Sequence, residues 1–182
     1  INLLSFLSIV SNVGDDLGNP ELEWGRIIIF LILALGVSFI CSLLEAIILS
    51  VTWSHIEILS KEDNRSGKRL KELKEDIDVP LAAILTLNTI SHTIGAAGVG
   101  SEFNKLGNEW FTVASIILTI LILVFSEIIP KTLGAIYWRK LAPSSAYLLD
   151  AMIWITWPIV VVLNSFSRRI SEGNEDQKEM TR

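Results

Sequence analysis

A small set of polar side chains interrupts three otherwise apolar runs of this chain. Ser38, Ser42 and Glu45 lie within the run from Ile27 to Trp53, and Asn88, Ser91 and His92 within the run from Leu81 to Val99. Ser126 and Glu127 follow the apolar part of a third run that begins at Trp110. At about 100° per residue, Ser38, Ser42 and Glu45 (i, i+4, i+7) share one helix face. Asn88, Ser91, His92 and Gly95 (i, i+3, i+4, i+7) form a polar stripe in the same way. Pro130 follows Glu127 closely. It lacks an N–H and crowds the carbonyl four residues back, so the Ser126 C=O loses its usual helix partner. Hydroxyls, an amide, two carboxylates and a freed carbonyl form an oxygen-rich set, suited to hard cations such as Mg²⁺, Ca²⁺ or Na⁺. Mg²⁺ takes about six oxygens in an octahedron, which the set could supply if the three segments converge.

Each residue also has a plainer role open to it. Serine and asparagine within spans commonly bond across helices, and Ser38, Ser91 and His92 could do only that. Glu127 has Lys131 one helical turn away, and Glu45 could sit close to the membrane surface. What favours a site is that two carboxylates occur together with matched polar stripes on the three segments. An ionisable group at bilayer depth normally faces a partner, an ion or a water-filled cavity.

The elements that must position these groups are helices. The chain is 51% hydrophobic over 182 residues, which is high for a soluble domain. The run from Ile27 to Trp53 is long and apolar enough to cross a bilayer, as are those from Pro80 to about Val99 and from Trp110 to about Tyr137. The fold class expected is an all-α integral membrane protein, with three transmembrane helices, a juxtamembrane helical belt and a cytoplasmic helical hairpin loop. The expected divisions are an extracellular N-terminal segment at 1–26, a three-span domain at 27–140 with its cytoplasmic loop at 54–79, juxtamembrane helices at 141–171 and a flexible tail at 172–182. Ile1 to Val13 is too short to span and lacks a signal-peptide pattern; an interfacial helix followed by an acidic loop is expected there.

The loop after the first span carries Lys61, Arg65, Lys68, Arg69, Lys71 and Lys74 interleaved with acids, whereas Arg26 is the lone basic residue before that span. The positive-inside rule therefore places the loop and the C-terminus in the cytoplasm of a cell-membrane protein and the N-terminus outside. Helix is expected on both sides of a break at Ser66-Gly67. The run Gly95-Ala96-Ala97-Gly98-Val99-Gly100 allows close helix approach or ends the helix. The segment 146–163 is long enough for a fourth crossing, but that would put Arg168 and Arg169 outside. With Asp150, Pro158 and two tryptophans it reads as a helix near the interface.

Function classes narrow accordingly. A net charge of −5 without a basic stripe argues against nucleic acid. Cys41 is the only cysteine, which excludes an internal disulfide and a cysteine-based zinc site and leaves it a packing role. No metal-binding His pair, Ser/Lys dyad or nucleophile elbow appears, so an enzyme is not expected.

Several stretches resemble one family. Ser126-Glu127-Ile128-Ile129-Pro130-Lys131 is similar to the Gly-Glu-Ile-x-Pro-Lys signature in the transmembrane domain of the CorB/CorC and cyclin M (CNNM) magnesium transporters. Ser42-x-x-Glu45-Ala46 resembles that family's Ser-Gly-x-Glu-x-Ala pattern, and Leu87-Asn88-Thr89-Ile90-Ser91-His92 its Gly-Asn-x-x-x-Asn stretch. Trp157-Pro158-Ile159-Val160 is similar to its juxtamembrane segment. The resemblance implies three spans with a juxtamembrane belt, embedded in lipid as a homodimer. It implies Mg²⁺ movement, as Na⁺-coupled export, with a cation held by Ser42, Asn88 and Glu127 and nearby backbone carbonyls. A membrane-embedded Mg²⁺ sensor or scaffold without transport is the alternative. Ser126, His92 and Leu87 depart from the family's glycine, asparagine and glycine. The family continues into paired nucleotide-binding CBS domains. A chain that starts at Ile1 and ends in a charged tail reads as a piece of such a longer protein.

Overall fold

The structure is a computed structural model that describes residues 23–61 and 65–179, with side chains described to residue 159. The interfacial helix and acidic loop expected before residue 23 lie outside the described residues. Helix α1 runs from Trp24 to Ser50 and contains a π-helical turn at Ile32–Val37. Helices α2 (Trp53–Lys61) and α3 (Arg65–Glu75) form a hairpin, and α4 (Asp78–Asn104) returns through the bundle. Helix α5 begins as Asn108–Leu121, widens into a π turn at Ile122–Ile128 and continues as Ile129–Glu179. The described residues contain no strand. Among them three helices (α1, α4 and α5) are long and apolar enough to cross a membrane. This is a multi-pass, all-α membrane fold.

Each boundary has a local cause. Val51 adopts extended backbone (φ −62°, ψ 127°) and stops α1. Gly107, at φ 109°, makes the turn between α4 and α5, a conformation that a side chain would strain. Trp24 and Trp110, both exposed, mark one end of the spans, and Trp53 and Tyr137 mark the other. At roughly 1.5 Å per residue these aromatic pairs stand about 40 Å apart, the thickness of a bilayer with its headgroup regions. Ile28, Ile29, Ile116, Ile117, Ile120 and Leu123 project outward between them, an apolar face suited to lipid.

Small residues set the helix contacts. A Cβ on Gly95 would strike the Ala34 Cβ and lie 2.9 Å from the Phe30 carbonyl oxygen, and one on Gly98 would enter the Phe30 ring. The glycine run therefore serves close approach of α1 and α4; it does not end the helix, which continues to Asn104. On the other side of α1, a Cβ on Gly134 would lie 2.7 Å from both the Ala46 Cβ and the Leu43 carbonyl oxygen.

The hairpin is fixed to the bundle by a shared core. Cys41, Leu44, Ile47 and Ile48 of α1 belong to one buried cluster with Ile56, Leu70, Leu73, Ala83, Ile84, Ala142, Ala146 and Leu149. Lys74 reaches back to the carbonyl oxygens of Ile48 (2.7 Å) and Leu49 (3.4 Å). Both lie in the last turn of α1, where carbonyls run out of donors within the helix. Burial holds the Lys74 ammonium below the usual lysine range. Arg69 bonds both Glu72 (2.5 Å) and Asp150 of α5 (2.6 Å), and these partners hold its guanidinium above its ordinary value, the Glu72 hydrogen bond first. At the opposite end Glu102, 1% exposed, is met by Lys105 (2.9 Å), by Arg26 (3.9 Å) and by the Glu23 N–H (3.3 Å).

Three expected boundaries fall elsewhere. Ser66-Gly67 is not a break: both residues are buried inside α3, and a Cβ on Gly67 would lie 2.5 Å from the Leu59 backbone, so the glycine marks where α2 and α3 touch. No interruption separates span three from the segment expected at 141–171, because α5 passes through Pro143 and Pro158 without losing its helical form. The tail expected from residue 172 is helical as far as Glu179, in a stretch rich in glutamate and free of proline.

Gly95→Val is expected to destabilise the bundle by about 2 kcal/mol, the cost of overpacking a close helix contact. Gly25, with nothing within 4 Å of a built Cβ, should tolerate alanine unchanged. Thermal unfolding in detergent measures both. Lys74→Met, which keeps the apolar stem, should lower stability by about 1 kcal/mol through loss of a charged donor at the end of α1.

Candidate cation site

The two π turns lie on facing helices and are joined by a hydrogen bond from the Ser126 hydroxyl to the Leu35 carbonyl oxygen (3.2 Å). Widening a helix by one residue per turn displaces carbonyls from their usual donors. In α5 the proline lies just beyond the widened turn, where the Ile129 N–H bonds the Val124 carbonyl five residues back.

Around this junction α1, α4 and α5 bring most of the expected residues together. The Asn88 amide N–H donates to Glu127 Oε1 (3.2 Å), which fixes the amide's orientation. Its carbonyl oxygen then accepts from the Ser38 hydroxyl at 2.5 Å. Ser38 Oγ also lies 2.5 Å from His92 Nε2. A hydroxyl has one proton, and the Asn88 carbonyl can only accept, so His92 must donate from Nε2. Lys131 Nζ stands 3.2 Å from Glu45 Oε2 and 3.2 Å from Glu127 Oε2. A tethered ammonium thus bridges the carboxylates of two different helices.

Ser42 occupies the α1 face between Ser38 and Glu45 and is fully buried. Among the described residues, its hydroxyl and His55 Nε2 are the buried polar side-chain atoms without a hydrogen-bond partner. An unsatisfied buried hydroxyl is costly and calls for an explanation such as an ion. Ser91 is buried on α4, but none of the hydrogen bonds joining the cluster involves it. Ser126 is used by the Leu35 carbonyl. Glu45 and Ser38 precede Ser50, the last residue of α1. At roughly 1.5 Å per residue they lie about 8 Å and about 18 Å from the hairpin end of that helix. The cluster is in the hairpin-side half of the membrane.

No group of three or more His, Cys, Asp and Glu side chains that could hold a metal is found among the described residues. Carboxylates, the Asn88 and Ser42 oxygens and the carbonyls of widened helix turns fit a hard cation. The Glu45–Lys131 contact was not anticipated from the sequence. The i, i+4 spacing of Glu127 and Lys131 was visible, but the second carboxylate comes from α1, far back in the chain, and no local pattern reports it.

Replacing Ser42 by alanine removes a buried hydroxyl that has no partner. In the presence of chelator the variant is expected to be more stable by about 1 kcal/mol. The thermal stabilisation that millimolar Mg²⁺ gives the wild type should shrink in parallel. Unfolding curves with EDTA and with Mg²⁺ measure the two effects separately.

Comparison with known proteins agrees with the fold. The family described as the cyclin M transmembrane N-terminal domain matches residues 27–182. A UPF0053 protein of Synechocystis sp. is 36% identical over 146 residues, covering 80% of this chain and 42% of its own length. A UPF0053 protein of Haemophilus influenzae is 30% identical over 146 residues, with 79% of this chain and 34% of its own length covered. The UPF0053 inner membrane protein YfjD of Escherichia coli is 31% identical over 113 residues, covering 62% of this chain and 26% of its own. The chain spans less than half the length of these relatives. Its three apolar spans and the near-complete match from Ile27 onward make it a member of the cyclin M transmembrane-domain family.

Proposed function

We propose that the chain carries Mg²⁺ across the cell membrane, as Na⁺-coupled export, and that it does so as a transporter and not as an enzyme. The observation that carries this reading is the junction of α1, α4 and α5. There Glu127, Asn88 and Ser38 are joined to one another, Lys131 links Glu127 to Glu45, and the Ser42 hydroxyl lies buried without a partner. Membership in the cyclin M family supports a membrane transport role.

In this mechanism Glu127 supplies charge, and Ser42 and Asn88 supply neutral oxygens. Backbone carbonyls of the two π turns complete the coordination, as irregular backbone can at membrane depth where it lines a cavity. Glu45 is the second carboxylate of the pathway. Ser38 and His92 hold the Asn88 carbonyl oxygen in place, and Ser126 ties α5 to α1. Ser91 contributes packing. Mg²⁺ dehydrates reluctantly, so a site with few charged ligands suits an ion that keeps part of its water and leaves again. The hairpin faces the cytoplasm and the N-terminus faces outside. The working unit is a homodimer in lipid, and cytoplasmic nucleotide-binding domains of the CBS type follow in the full-length protein.

Proteoliposomes loaded with Mg²⁺ test the reading. Efflux is expected to rise when an inward Na⁺ gradient is imposed, and Glu127→Gln should reduce it at least tenfold. Saturable Mg²⁺ binding in detergent without flux across a sealed bilayer would favour a membrane-embedded sensor or scaffold instead.

A further inference from the structure

The side chain that occupies the charged heart of the cluster is Lys131. Its Nζ is 3.2 Å from a carboxylate oxygen of Glu45 on α1 and 3.2 Å from one of Glu127 on α5. We propose that Lys131 is an internal counter-cation, holding the two carboxylates together while the site carries no ion and leaving them when a divalent cation enters. This rests on the cation-site reading above.

Three observations converge on it. First, both carboxylates lie at membrane depth on different helices, where uncompensated charge is costly and the two would repel each other. A tethered ammonium supplies the compensation without a diffusing ion. Second, the ammonium bonds the oxygens that a cation would need. Glu127 gives Oε1 to Asn88 and Oε2 to Lys131, so a cation that bonds Oε2 must share that oxygen with an ammonium whose positive charge repels it. Third, Lys131 is the most exposed member of the trio. Its side chain is 45% exposed, against 31% for Glu45 and 25% for Glu127, so the ammonium has open space into which to withdraw. Ser42, by contrast, is fully buried and has no bond to give up.

The consequence is a swap. Entry of Mg²⁺ sends the ammonium toward the open side, and departure of the ion lets it return. Because the lysine is attached to the same helix as Glu127, its local concentration is high and constant, and it competes with every arriving cation. Competition of this kind weakens apparent affinity. That is a requirement for transport, since a site must release what it captures. It also spares the ion-free protein two bare carboxylates, so the bundle keeps one arrangement between turnovers.

The test reads the sign of an affinity change. Mg²⁺ binding to the detergent-purified chain is measured by calorimetry for the wild type, Lys131→Gln and Lys131→Arg. Removal of the competitor should tighten the Mg²⁺ dissociation constant at least fivefold in Lys131→Gln and leave Lys131→Arg within twofold of the wild type. An unchanged or weaker constant in Lys131→Gln overturns the proposal, as does an equal tightening in Lys131→Arg, which would trace the effect to shape and not to charge. Should Lys131→Gln fail to fold, the wild type decides the matter by reductive methylation read by mass spectrometry. Mg²⁺ should speed modification of Lys131 at least threefold relative to exposed Lys140, and an unchanged or slower rate overturns the proposal. Absence of any saturable Mg²⁺ binding to the wild type would overturn the cation-site reading itself, whereas normal wild-type binding with no effect of Lys131→Gln would remove only the counter-cation.

Discussion

Two carboxylates at bilayer depth are the constraint on which the rest of this structure depends. An isolated ionised side chain in hydrocarbon costs several kcal/mol or more, so Glu45 and Glu127 can be carried only if helices bring them compensation. Lys131 supplies charge to both, and Asn88 supplies a hydrogen bond to Glu127. Each of these partners must arrive on a separate helix or at a fixed turn, which makes the packing of α1, α4 and α5 a condition for the carboxylates and not merely a background to them.

That packing is achieved by removing side-chain volume. Gly95 and Gly98 admit α1 to α4, and Gly134 admits α1 to α5. Helices in lipid gain little from hiding apolar surface from one another, so close backbone approach and hydrogen bonds carry the association. The same closeness brings Ser38 within reach of Asn88 and His92, and Ser126 within reach of the Leu35 carbonyl. The π turns belong to this arrangement. They place loosened backbone at the level of the polar cluster, where one face of each turn has protein neighbours. The hairpin α2–α3 and the continuation of α5 then close the bundle at one end, with Lys74 and Arg69 as the groups that tie them down.

Membership in the cyclin M transmembrane-domain family fits a chain whose membrane-crossing helices meet at this junction. A transport site has to attract an ion without trapping it, and the few charged ligands of the cluster are in keeping with the transport proposed above. Neutral oxygens outnumber carboxylates around the junction, and the charge that is present already has a partner in Lys131. Two of the three departures from the resembled pattern fall into the same network, whereas Leu87 packs against the apolar core. His92 stands where the family has asparagine, and it takes the donor role toward Ser38 that an amide could also fill. Ser126 stands where the family has glycine and spends its hydroxyl on the backbone of α1.

Much of this was legible in the amino-acid order alone. Apolar runs long enough to cross a bilayer define the spans, because length and hydropathy are local properties. Helical periodicity put Ser38, Ser42 and Glu45 on one face and Asn88 and His92 on another, since a period of 3.6 is set by the backbone. Local patterns misled where a residue's role is decided by what touches it. Gly67 and the run from Gly95 to Gly100 looked like places to break a helix and proved to be places to pack one, because absence of a Cβ permits either. The helix through Pro143 and past Gly173 was hidden for a related reason: proline and glycine lower helix preference without forbidding it. What only the tertiary structure decided is which polar group meets which. Glu45 and Lys131 are joined, Ser42 is left without a partner and Ser91 stands outside the hydrogen bonds of the cluster. Contacts between helices far apart in sequence depend on their relative depth and rotation, and no single helix encodes either.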